Sequence, residues 1–180
     1  VFAHFSAIVG SGRRDLYEKK IATSSMSKIY SIANTRVGWA VTRDKKAYDI
    51  LENRRSYDSI CNGVFDEMIS AIALEHSDKM LERARNIVRP NKKIAENWIR
   101  SQPHLSAYGE SFTTTMLVHY DYDIDEVELC TDIYEKTGVL LCHGDCFEEK
   151  KCFRLGYGFG DSDLLHKGLE ELGGYLASLS

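Results

Sequence analysis

The chain has 180 residues, of which 43% are apolar and 28% charged, with a formal net charge of −4. That length buries one substantial core or two small ones. The mild acidity, without a basic run or a basic helix face, excludes a nucleic-acid binder, and no apolar stretch approaches membrane-spanning length.

In chain order, Val1 opens directly into Phe-Ala-His-Phe. No charged leader or apolar signal core precedes it, so no signal peptide is expected, and the missing initiator methionine predicts a fragment. Val1 to Phe5 reads as the tail of a strand. Lys20 to Ser24 is a short strand entering a turn at Lys28, and Arg36 to Val41 is a buried strand that opens with the arginine. Asp44 is placed to cap a helix reaching about Ser56. A long helix is predicted over about 64–85, with Val64, Met68, Ile69, Ile72 and Leu74 as its apolar positions. A second covers 86–101 and is kinked or broken at Pro90, because proline removes a backbone donor.

A boundary is expected near residue 100, at Ser101-Gln102-Pro103-His104. Beyond it the pattern changes. Phe112 to Tyr120, rich in threonine, aromatic and β-branched residues, reads as a strand. Ile124 to Lys136 is a helix ended by Gly138. Val139 to Cys142 and Cys152 to Tyr157 are short strands. Asp161 caps a last helix to about Leu179, with Leu164, Leu165, Leu169 and Leu172 on its apolar face. Alternating strands and helices give an α/β or α+β class.

The five cysteines are Cys61, Cys130, Cys142, Cys146 and Cys152. An odd count does not match a secreted disulfide framework, and a reducing, cytoplasmic compartment is expected. Cys142-His143-Gly144-Asp145-Cys146 has three residues between its cysteines and no second pair to complete a zinc site, so no metal is expected.

The chemistry concentrates in Ser25-Met26-Ser27-Lys28 and Arg36-Val37-Gly38-Trp39, with Ser31, Asn34 and Thr35 between. A held, partly desolvated lysine amine can form a Schiff base with an aldehyde. Serine hydroxyls and an arginine fork suit a phosphate dianion. The bland alternative is a solvated lysine beside a polar turn, since lysine and arginine are mostly exposed. Farther on, Gly138-Val-Leu-Leu-Cys-His-Gly-Asp-Cys-Phe147 precedes Arg154 in Cys-Phe-Arg-Leu-Gly-Tyr-Gly158. An arginine among Cys152, Phe153, Leu155 and Tyr157 calls for a carboxylate, unless it lies on an edge strand pointing to solvent.

These segments resemble the C-terminal half of fold-type-I pyridoxal-phosphate enzymes, the class I/II aminotransferase superfamily, over essentially the whole chain. The resemblance implies an α/β fold made of the end of the large-domain sheet, a long connecting helix and a small α+β domain. It places the large cofactor-binding domain in 1–60, connecting helices in 61–101 and the small domain in 102–180. It implies pyridoxal 5′-phosphate held as a Schiff base on Lys28, which is also the catalytic base. Ser25, Ser27 and Arg36 would bind its phosphate, and Arg154 would grip the substrate carboxylate. His143 stands where the family pattern has proline. Phe2 stands where a tyrosine usually meets the cofactor's phenolic oxygen, and it cannot make that hydrogen bond. The implied activity is transfer of an α-amino group from an amino acid to a 2-oxo acid. The alternatives are a lyase, cyclase or oxidase using the same cofactor, or a non-catalytic sensor domain. A homodimer is implied, with Ser59 to Gly63 reaching the neighbouring site. His4, Tyr30 and His143 are candidate lining residues.

Overall fold

The computed structural model describes residues 20–109 and 113–179. Phe2, His4 and the strand expected over 1–5 lie outside them. The chain forms two compact units, Val1–Ala84 and Arg85–Ser180.

In the first unit, β1 (Ile21–Ser25) and β2 (Gly38–Thr42) form an antiparallel hairpin in which Ile21 faces Thr42 and Ser25 faces Gly38. Helix α1 (Lys45–Asp58) follows. The Asp44 carboxylate caps it, accepting from the backbone N–H groups of Lys46 (2.9 Å) and Ala47 (3.3 Å), which satisfies two donors that have no partner inside the helix. Helix α2 (Val64–Glu75) buries only Ser70 and Ala73. A small core gathers Met26, Tyr30 and Ala73, with Ile32, Val37, Trp39 and Leu74 against it.

Helix α3 (Ser77–Ser101) contains Pro90, and the division between units falls within it. In the second unit, β3 (Leu105–Ala107), β4 (Thr115–Tyr120), β5 (Cys142–His143) and β6 (Cys152–Gly156) form an antiparallel sheet in the order β3-β4-β6-β5. Helices α4 (Glu126–Thr137) and α5 (Ser162–Ala177) supply the rest of the core. Strand alternation sends Met116, Val118 and Tyr120 inward from β4, and Phe153 and Leu155 inward from β6. They meet Leu129 and Ile133 from α4, Leu165, Leu169 and Leu172 from α5, and Ala95 and Ile99 from α3. Each fully buried aliphatic or aromatic side chain contributes roughly 1.5–3 kcal/mol. Asp125 caps α4, and Gly138 closes it in the left-handed region at φ 73°, where a side chain would be strained.

Several expectations are corrected. The expected break at Pro90 is absent, and α3 runs through it. Buried Asn91 anchors the next position, donating to the carbonyls of Tyr157 (3.2 Å) and Phe159 (2.7 Å) and accepting from Ser162 Oγ (2.6 Å). Those tertiary bonds hold the segment that proline weakens. The interruption lies instead at His76, whose φ of −105° and ψ of 25° end α2. The large apolar residues expected to pack in that helix are exposed: Val64 is 73%, Met68 53%, Ile69 46% and Ile72 50% accessible. Arg36 does not open β2 but precedes it in a left-handed conformation, and β2 is half-exposed rather than buried. Val139 and Leu141 pack on the core without joining the sheet. Leu164 is exposed, one position off the inward stripe of α5. No helix among the described residues is long and apolar enough to cross a membrane.

Candidate functional site

The β1–β2 connection, 26–37, carries Ser27, Lys28 and Arg36, and Ser25 ends the strand before it. Ser25 closes β1 opposite Gly38. One step on, Met26 N–H donates to the Val37 carbonyl at 3.0 Å, so Ser27 and Arg36 follow on opposite sides of the connection. Ser25 Oγ accepts from Ser27 N–H at 3.3 Å. Inside the loop, Ser31 N–H donates to the Lys28 carbonyl (3.1 Å) and Ile32 N–H to the Met26 carbonyl (3.2 Å). Buried Thr35 donates its hydroxyl to the Ile32 carbonyl at 2.9 Å. Sequence reasoning gave Thr35 no role; here it fixes the turn that leads into Arg36.

The loop turns Met26 and Tyr30 inward and leaves Lys28 and Arg36 exposed. Tyr30, expected as a lining residue, is 3% accessible and packs against Trp39 with ring centroids 6.5 Å apart; burial pushes its hydroxyl pKa up. It therefore belongs to the core. Ser31 and Arg36 have positive φ, 58° and 51°, a conformation costing roughly 1 kcal/mol or more for residues with a Cβ. Arg36 donates one guanidinium N–H to the Ala33 carbonyl at 2.9 Å. Among the described residues, no carboxylate lies within ion-pair distance of Lys28 or Arg36. An amine, two hydroxyls and a guanidinium on or next to one connection, both cations without an acidic partner among the described residues, form a donor set of the kind that fits an aldehyde bearing a phosphate.

Arg154 occupies the middle of β6, opposite Leu117 on β4 and Cys142 on β5. Its neighbours Phe153 and Leu155 point into the core, and alternation puts Arg154 on the outer face, exposed, on a strand that lies between β4 and β5 rather than at the sheet edge. Its guanidinium lies over the Phe147 ring, 5.2 Å from the centroid. No carboxylate pairs with it among the described residues. A cavity of about 490 Å³ opens beside it, walled by Tyr108, Met116, Leu117, Phe147 and Glu149. None of these five was given a role from sequence. Leu117 could have been found from β4's period-two pattern; the others need the sheet register.

His143 sits on β5, with Nε2 3.6 Å from Cys146 Sγ. All five cysteines are free thiols. Among the described residues, no group of three His, Cys, Asp or Glu side chains is arranged to hold a metal.

The family model for aminotransferase class I and II matches residues 3–172. A PLP-dependent aminotransferase from Streptococcus suis 89-1591 superposes with a TM-score of 0.86 at 35% identity, over 93% of this chain and 44% of that one. Capreomycidine synthase of Streptomyces vinaceus is 24% identical over 161 residues, 87% of this chain and 41% of the relative. Histidinol-phosphate aminotransferase of Caldicellulosiruptor saccharolyticus is 27% identical over 155 residues, 83% and 39% respectively. The chain thus spans about two fifths of the length of these curated relatives.

Proposed function

Because the chain belongs to the aminotransferase class I and II family, whose cofactor is pyridoxal 5′-phosphate, we propose that it carries the lysine and carboxylate-binding parts of an enzyme moving an α-amino group from an amino acid to a 2-oxo acid. The observation that supports this reading is the 26–37 connection, which carries Ser27, Lys28 and Arg36 directly after Ser25, the last residue of β1.

Lys28 Nζ would hold the cofactor covalently, and Ser25 Oγ, Ser27 Oγ and the Arg36 guanidinium would hold its phosphate. When bound, the cofactor supplies an electron-withdrawing ring that makes the substrate's α-proton removable. The remaining work falls to this chain's side chains. Arg154 would orient the substrate by its α-carboxylate, a bidentate match for a guanidinium. Lys28 Nζ, once free, would take the α-proton and return it at the acceptor carbon. Hydroxyls and a guanidinium can anchor the phosphate through both halves of the reaction without exchanging protons with it.

Borohydride treatment of the cofactor-loaded protein, followed by mass mapping, tests the assignment. Label on Lys28 is the expected result; label on another lysine, or none, overturns it. A second reading keeps the cofactor and ends in elimination, cyclisation or oxidation. The similarity to a relative named as a synthase keeps it in view. Product analysis with and without a 2-oxo acid acceptor separates the two, because only amino transfer needs the acceptor.

A further inference from the structure

The grip proposed for Arg154 leaves the far end of the substrate unassigned, and the cavity beside Arg154 bears on it. Its volume of about 490 Å³ falls within the range of roughly 300–1,000 Å³ that small-molecule sites occupy. Tyr108, Met116, Leu117 and Phe147 give it apolar and aromatic walls, and Glu149 is the acid among its lining residues.

The local fold pins Glu149 by its backbone. A 3-10 turn, Gly144–Phe147, leads into it from β5. Glu149 N–H donates to the Gly144 carbonyl at 3.1 Å, and the Glu149 carbonyl lies 3.8 Å from the Cys152 thiol that donates to it. A Cβ on Gly144 would collide with that same carbonyl, so glycine is required for the approach. Glu148 and Lys151, before and after it, are left-handed at φ 59° and 54°, a conformation that persists only where surrounding contacts impose it. A residue that reads a ligand needs such fixed support.

The lysines that follow do not neutralise the Glu149 carboxylate. Lys150 Nζ pairs with Glu126 at 2.7 Å and Asp145 at 2.9 Å. Lys151 Nζ donates to the carbonyls of Tyr122 (3.0 Å) and Ile124 (2.9 Å). Among the described residues the half-buried Glu149 side chain has no ion pair, and Arg154, on the wall of the same cavity, does not pair with it either. A partly desolvated carboxylate is costly without a cation. An acid and a guanidinium that line one cavity without meeting complement a ligand with a carboxylate at one end and a cation at the other. We propose that Glu149 is a specificity residue selecting amino acids whose side chain ends in an amine or a guanidine. The inference rests on the carboxylate grip at Arg154: the α-carboxylate stays there, the methylene chain runs along Tyr108 and Phe147, and Glu149 receives the terminal cation. The α-amine is the group transferred in the proposed reaction, and a fixed carboxylate bond to it would resist that transfer.

The test treats the complete, cofactor-loaded enzyme with phenylglyoxal, an arginine-directed dicarbonyl, and reads modification of Arg154 by peptide mass. L-Lysine and L-norleucine are the protecting ligands; they share their α-groups and methylene chain and differ by the terminal amine. Lysine is expected to protect Arg154 at a concentration at least about tenfold lower than norleucine. Glu149→Gln keeps the shape and removes the charge, so it should close that gap and leave protection by norleucine unchanged. Equal protection by the two ligands in the unaltered enzyme, a comparison that needs no variant, would overturn the role of Glu149 and leave the Arg154 grip standing. A gap that survives Glu149→Gln would do the same. Protection by neither ligand would overturn the grip itself, and the proposal with it. The readout follows one side chain and does not depend on turnover.

Discussion

The two units differ in how much of their apolar surface they close. The second gathers sixteen buried residues, from α3, β4, α4, β6, α5 and the loop after β6, into one cluster, whereas the described part of the first has three. Helix α1 buries nothing, and α2 turns Val64, Phe65 and Met68 outward at 73%, 72% and 53% accessibility. Yet the first unit carries Lys28 and Arg36, on a loop with two residues in the left-handed region. The proposed cofactor lysine and phosphate-binding arginine thus lie in the thinly packed unit, and the dense core lies in the other. Chemistry and folding stability are therefore separable by mutation.

The largest effect is expected at Lys28. In the complete enzyme, Lys28→Ala should lower turnover by at least about a hundredfold, the lower range for loss of a positioned general base. Denaturant stability should hardly move, because Lys28 is exposed and without an acidic partner among the described residues. Steady-state rates beside an unfolding curve give both numbers. Wild-type turnover in this variant would remove the assignment.

The converse is Leu172→Ala in α5. Leu172 is fully buried, and its truncation should cost about 2–5 kcal/mol, read as a lower denaturant midpoint. A loss below about 1 kcal/mol would mean that the second unit's core relaxes around the cavity, and the contrast between units would fail.

Arg154→Ala comes next. Losing a charge-assisted pair with the substrate carboxylate should raise KM by roughly one to two decades, on the order of 1.5–3 kcal/mol. Stability should stay within about 0.5 kcal/mol, since Arg154 is exposed and its guanidinium lies over the exposed Phe147 ring, outside the core cluster. An unchanged KM would show that another group binds the carboxylate.

Much of the second unit was readable in the sequence for local reasons. Gly138 ends α4, Asp161 starts α5, and β4 is rich in threonine, aromatic and β-branched residues. The family was also legible, because the order of serines, lysine and arginines survives without three-dimensional information. What escaped was set by distant partners. Pro90 stays helical because Asn91 is tied to Tyr157, Phe159 and Ser162, far along the chain. The walls beside Arg154 arise from strand register, not from its sequence neighbours. The helical period of α2 was correct, but its apolar face is not covered by the described residues.

Glu126 gives a pH-dependent effect confined to the second unit. Its carboxylate is 2% accessible, pairs with Lys150 Nζ at 2.7 Å and accepts from Lys151 N–H at 3.3 Å. The Lys150 ammonium paired with it, ahead of the backbone N–H groups, holds its pKa below the ordinary value of 4.5, against the opposing effect of burial. A depressed acid stabilises the fold above its unfolded pKa. That stability is lost as pH falls below about 4.5 and through the folded value. Glu126→Gln should cost about 1–3 kcal/mol at neutral pH, and the gap between variant and wild type should close on acidification. A gap independent of pH would assign the loss to packing rather than charge.

The smallest effect is expected on α2. Phe65 is 72% accessible and lies outside the first unit's core cluster, so Phe65→Ser removes little buried surface. It should change the stability of this chain by no more than about 0.5 kcal/mol, despite replacing a large aromatic residue. Leu172→Ala deletes less side-chain volume and should cost several times more, because cost follows buried contacts rather than residue size. The two variants, unfolded side by side in denaturant, measure the difference between the units directly. A loss at Phe65 approaching that at Leu172 would mean that α2 is covered in the folded chain, and the contrast in packing would collapse.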